Sequence, residues 1–189
     1  VACLTGYLIS SIEQLVPAMD AIDLIPNKVA SSGLVTLDLE TYFHGGERVA
    51  FDIKPWLFRE MILKEKDFRE EVKNHAWENY QGKNLAFFCS SDALIPNWAW
   101  MLLAASVQPY ANRYVLGNLE LLEHTLYLDA LNAIHPEDFK DQRVILKGCS
   151  HKPVPVSAYV ELSSRLLPVV KSLMYGEACS NVPVYKRKA

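Results

Sequence analysis

Hydrophobic positions along this chain alternate between two spacings. Residues 85–88 and 144–147 are short, continuous apolar runs that lead into Cys89-Ser90 and Cys149-Ser150, the pattern of strands buried on both faces. Each is followed by a segment of helical character, 97–108 and 156–167, opened by Pro96 and Pro155, since proline is well accommodated at a helix start. Pro109 and Pro168 end these segments, because proline lacks the amide hydrogen and clashes with the preceding turn. Strands are predicted next, over 113–116 and 171–175, closed by Gly117 and Gly176. Longer helical patterns precede each set, over 58–74 and 119–134, the latter with Leu119, Leu122, Leu126, Ala130 and Ala133 on one face. Further upstream, 34–41 and 48–53 alternate as two strands around Phe43-His44-Gly45-Gly46, predicting a hairpin. A last strand is predicted over 182–185, with Pro183 confining it to a sheet edge.

The recurrence of these elements points to an internal duplication. His75 through Ser90 matches His135 through Ser150 at a separation of 60 residues, and Pro96 through Gly117 matches Pro155 through Gly176 at 59, so one deletion is placed in the intervening loop. The unit is helix, strand, helix, strand, used twice, over about 58–117 and 118–176. Such alternation predicts an α/β fold, a doubly wound and mostly parallel sheet with right-handed crossovers, preceded by the N-terminal β-hairpin. Residues 1–26 read as an amphipathic extension, with Leu8, Ile12, Leu15, Val16 and Met19 near helical spacing, and 27–189 as a single domain.

Composition narrows the class. The chain has 189 residues, of which 50% are hydrophobic and 22% charged, enough to bury one substantial core. A net charge of -3 gives no electrostatic basis for a nucleic-acid partner. The apolar stretch 4–25 lacks a basic start and is interrupted by Glu13, Gln14, Pro17, Asp20 and Asp23, so neither a signal peptide nor a membrane span is expected. Four cysteines are too few for a disulfide framework, which favours a reducing, cytoplasmic compartment. Oligomeric state is left open.

Candidate chemistry centres on three of those cysteines. In a parallel α/β sheet, ligands gather beyond the carboxyl ends of the strands, and Cys89, Cys149 and Cys179 are all expected there if Pro168 reverses the chain. Three thiolates on one rim suit zinc or an iron–sulfur cluster, with His151, Asp92 or His44 as a possible fourth ligand. The same thiols would also serve a thiol-dependent enzyme or a sulfur or persulfide carrier, and an interaction module with buried cysteines is the third alternative. No GxGxxG, P-loop or GxSxG pattern occurs, so no nucleotide cofactor is expected.

Several segments carry a family resemblance: Lys64-Glu65-Lys66-Asp67-Phe68-Arg69, Cys89-Ser90-Ser91-Asp92-Ala93-Leu94-Ile95-Pro96 with Trp98 and Trp100, Lys147-Gly148-Cys149-Ser150, Lys152-Pro153-Val154-Pro155, and Met174 through Ser180. Over residues 25–188 the chain resembles the bacterial family catalogued as domain of unknown function 2480, departing mildly at Asn97 and Ala178. The resemblance implies a bacterial, cytoplasmic protein with iron–sulfur assembly proteins as partners. It supplies no mechanism.

Overall fold

The computed structural model describes residues 33–148 and 151–188; the N-terminal extension and Cys149 lie outside them. The chain order is β1 (Leu34–Asp38), β2 (Arg48–Asp52), α1 (Glu65–Asn74), β3 (Asn84–Phe88), α2 (Asn97–Val107), β4 (Arg113–Leu116), α3 (Leu119–Leu131), β5 (Arg143–Lys147), α4 (Val156–Leu166), β6 (Ser172–Glu177) and β7 (Ser180–Lys186). The α/β class and mostly parallel pairing agree with the sequence pattern. So does Pro168: α4 stops at Leu166 and a strand returns from Ser172. Antiparallel β7, with Pro183 inside it, lies at an edge.

The expected single sheet is divided in two. The order β2-β3-β4 forms one sheet and β1-β5-β6-β7 the other. The start of the chain is hairpin-like in that β1 and β2 follow closely, but β1 pairs in parallel with β5 and β2 in parallel with β3. One β-α-β-α-β unit, from β2 to β4, is therefore nested between β1 and the rest of an enclosing unit made of β1, α3, β5, α4 and β6. Neighbouring parallel strands need a crossover between them. The nested unit uses α1 and α2 for this; the enclosing unit spans β1 to β5 with the whole nested unit plus α3.

The two units correspond at one constant separation of 59 residues. Asn84–Phe88 matches Arg143–Lys147, and Asn97–Val107 matches Val156–Leu166. The short 3-10 turns Trp77–Tyr80 and Pro136–Phe139 also match. So do two loop hydrogen bonds, Gly82 N–H to the Tyr110 carbonyl and Asp141 N–H to the Val169 carbonyl. No deletion separates the halves, and the separation of 60 assigned to the first half from sequence is one residue too long. Cys89 corresponds to Gly148, not Cys149, and His75 to Ile134, not His135. Gly148 explains why that position excludes cysteine: its φ is +147°, and an added Cβ would lie 3.0 Å from both the Leu39 Cβ and the Tyr159 hydroxyl.

Burial follows the same correspondence. Phe68 and Val72 of α1 pack with Leu85, Phe87, Ala99, Leu103 and Val107 on one face of the nested sheet. Their equivalents, Tyr127 and Leu131 of α3, pack with Val144, Leu146, Ala158, Leu162 and Leu166 in the enclosing unit. Helix α3 has a second duty: Leu122 and Leu126 bury Ala86 on the opposite face of the nested sheet. It is thus clamped between the two sheets. At its C-terminal end, where helix carbonyls lack intrahelical partners, the Arg165 guanidinium donates to Leu131 O at 2.8 Å, which also accepts Ile134 N–H at 3.0 Å, and to Ile134 O just past the helix at 2.7 Å.

Helix α1 begins at Glu65 and not at 58. The preceding residues form a tight reversal in which Arg59 (φ 52°) and Glu60 (φ 60°) both adopt left-handed backbone, with Met61 N–H bonded to Phe58 O at 3.2 Å. That conformation costs a non-glycine residue about 1–2 kcal/mol. No helix among the described residues is long and apolar enough to cross a membrane.

Candidate functional site

Cys89 and Cys179 are not brought together in the expected centre. Cys89 follows β3 of the nested sheet, is half-buried against that sheet's core, and places its Sγ 3.3 Å from the Ser91 Oγ. Cys179 is exposed in the short turn between β6 and β7 of the other sheet. Cys149 lies outside the described residues. Among the described residues no group of three histidine, cysteine or acidic side chains could hold a metal ion. The metal-binding and iron–sulfur expectation is thereby overturned.

Its proposed fourth ligands are dispersed. His44 sits at the amino end of the nested sheet, with Nδ1 2.5 Å from Gly45 O and Nε2 3.3 Å from the Asn112 side-chain nitrogen, whereas Cys89 is at the carboxyl end. Five strand residues separate those ends, roughly 17 Å. His151 is exposed and donates its backbone N–H to Glu40 Oε1 at 3.0 Å. Asp92 lines a small polar cavity of about 280 Å³ with Lys54, Glu60, Ser90 and Ser91. Beside that cavity, Asp52 accepts from Lys54 N–H and Ser90 N–H, both at 3.0 Å, and from the Ser90 hydroxyl at 2.5 Å. Burial pushes the Asp52 carboxyl up, but these hydrogen bonds and the Lys54 charge together hold it below its ordinary value.

A different site stands between α3 and α4. The first turns of these helices, with the segment Pro153-Val154-Pro155, line an open cavity of about 630 Å³ whose surface is mainly apolar. Small-molecule sites commonly fall in this range and combine apolar walls with few polar groups. The polar groups here converge from two elements. His124 of α3 and Ser157 of α4 are both half-buried, and His124 Nδ1 lies 2.6 Å from Ser157 Oγ. Asn118 caps α3, its side chain accepting from Leu121 N–H at 2.9 Å. Glu123, on the same wall, is engaged by the Arg48 guanidinium from β2 through Nε and, at 3.1 Å, through Nη2. Beneath, the Tyr127 hydroxyl donates to Pro153 O at 3.2 Å, and burial, then the carboxylates of Glu123 and Glu40, push its ionisation up to about 12. It remains a neutral donor that ties α3 to the Pro153 segment.

Local sequence explains the opening. Helix α3 starts at Leu119, whereas the position corresponding to α1's start is His124. The extra N-terminal turn, absent from the nested unit, supplies one wall. The second reason is Ser157, whose counterpart in the nested unit is Trp98. That indole lies edge-on to Phe68, with ring centroids 6.0 Å apart, and carries the Arg69 guanidinium over its face at 5.0 Å. A hydroxyl stands where the sister unit has an indole.

No residue-level motif joins His124 to Ser157, which are 33 residues apart. The 59-residue match of Pro96–Gly117 with Pro155–Gly176 already sets Trp98 against Ser157, and the large loss of volume in that exchange is the signal that could have found the site.

No curated protein and no solved structure matches this chain. Residues 23–187, nearly its whole length, match the family described as protein of unknown function DUF2480, and the chain belongs to that family.

Proposed function

We propose that this protein binds a neutral, largely apolar small molecule in the cleft between α3 and α4, anchored by a hydrogen bond to the His124–Ser157 pair. The observation that carries this reading is the contrast between corresponding positions: Trp98 fills space in the nested unit, while Ser157 leaves a cavity of about 630 Å³ in the enclosing one. A core under selection for packing alone would keep such a position filled, because unfilled volume forfeits contacts. The walls favour an apolar body. The Glu120 carboxylate on α3 disfavours an anionic ligand, while the Glu123 charge is balanced by Arg48.

Prodan, a neutral naphthyl ketone whose emission moves to the blue on leaving water, tests the proposal. Saturable blue-shifted emission is expected with the wild-type chain, weakened at least tenfold in Ser157→Trp, which installs the sister unit's residue. Equal affinity in both proteins, with folding verified by circular dichroism, refutes it.

A further inference from the structure

We infer that Ser157 is an acyl-accepting nucleophile served by His124, and that its substrates are neutral carboxylic esters with an apolar acyl group. This rests on the cleft being a small-molecule site and adds chemistry to it. The Oγ-to-Nδ1 separation of 2.6 Å is within direct proton-transfer range. With the proton of the neutral ring on Nε2, the serine hydroxyl donates to Nδ1, the arrangement in which imidazole acts as general base toward an attacking oxygen.

Placement on α4 strengthens this. Ser157 is the second residue of the helix, and the amides of Val156 and Ser157 have no backbone partner among the described residues, whereas Ala158 N–H is already bonded to Pro155 O at 2.9 Å. Free amides at the positive end of a helix dipole stabilise the negative oxygen that develops during acyl transfer. The Glu120 carboxylate on the cleft wall disfavours phosphate esters and free acids. The nested unit, with Glu65 and Trp98 at the corresponding positions, lacks both partners, so the chemistry belongs to one unit only.

The steps balance without redox partners. Ser157 Oγ bonds to the ester carbonyl carbon, the carbonyl π pair moves to its oxygen, and the hydroxyl proton passes to His124 Nδ1. Collapse breaks the carbon–alkoxide bond, and the proton moves from His124 to the leaving alcohol. Water then attacks the acyl-serine with His124 taking its proton, and that proton returns to Oγ as the carboxylic acid departs.

The experiment uses the full chain, a biotinylated fluorophosphonate and p-nitrophenyl butyrate. Mass spectrometry is expected to place the fluorophosphonate on Ser157, with no label in Ser157→Ala. Ester hydrolysis should fall on the order of 100-fold or more in Ser157→Ala and in His124→Gln, the range of a lost general base. Prodan binding without label on Ser157, or hydrolysis by Ser157→Ala at the wild-type rate, overturns the nucleophile and leaves the binding site standing. Absence of prodan binding removes both.

Discussion

The nested and enclosing units are built on the same plan but filled differently. Phe51, Trp56, Phe68, Trp77, Tyr80 and Phe87 pack the nested sheet as a continuous set of rings, with Phe51 contacting Trp77, Tyr80 and Phe87 at centroid separations of 5.6 to 5.8 Å. At the corresponding positions the enclosing unit has Leu37, Tyr42, Tyr127, Pro136, Phe139 and Leu146. Edge-to-face ring pairs add about 0.5–1.5 kcal/mol beyond the area they bury. The nested unit has spent its volume on packed rings; the enclosing one, with half as many rings at these positions, has left an opening where α3 meets α4. Of two units on one plan, one shows what full packing looks like and the other is packed less fully.

Changes of corresponding residues sharpen this contrast. Leu103 and Leu162 are fully buried and occupy matching helix positions. Leu→Ala at either is expected to cost about 2–5 kcal/mol, read from urea unfolding. Because α3 packs on both sheets, each variant should still unfold in one transition; two separate transitions would mean that the units are energetically independent. Next in size is Arg165→Ala, which strips two charged hydrogen bonds from the end of α3 and should cost about 1–3 kcal/mol. A loss below a few tenths would show that solvent replaces them without penalty.

The smallest expected effect is a pH response confined to the nested unit. His75, half-buried among Phe51, Trp56, Trp77 and Tyr80, has its pKa lowered from 6.5, first by desolvation, against the raising influence of Glu71 and Glu78. A folded pKa below the unfolded one means the unfolded chain binds the proton first. The associated stability is therefore present above about pH 6.5 and lost as pH falls through the folded value. His75→Ile, the change to the enclosing unit's residue at 134, should flatten stability between pH 7.5 and 5 relative to wild type. An unchanged slope in chemical denaturation would assign the effect to other groups.

Much of the secondary structure was legible because it rested on local chemistry. Pro96 and Pro155 opened helices, Pro168 turned the chain, and Pro183 marked an edge strand. The residue-to-residue match between the halves was harder. Asn84–Phe88 and Arg143–Lys147 have continuous apolar centres, and a strand buried on both faces shows no alternation from which to fix its register. A one-residue shift therefore kept the hydrophobic match and gained two coincidences, His75 with His135 and Cys89 with Cys149. Those coincidences created the three-cysteine site. The division into two sheets was hidden for another reason: β1 and β2 are joined by few residues, and nothing in Leu34–Asp38 or Arg48–Asp52 identifies β5 or β3 as its distant partner.

Nesting also sets an order of assembly. The strands and helices from Arg48 to Leu116 are contiguous in the chain, so their crossovers close short loops. By contrast, β1 must wait for β5, more than a hundred residues later, and long-range pairing is slow because its entropy is lost before contacts are gained. During synthesis the inner half can fold while its host strand stays unpaired, and the cleft comes into being only when α3 and α4 close the last sheet over it.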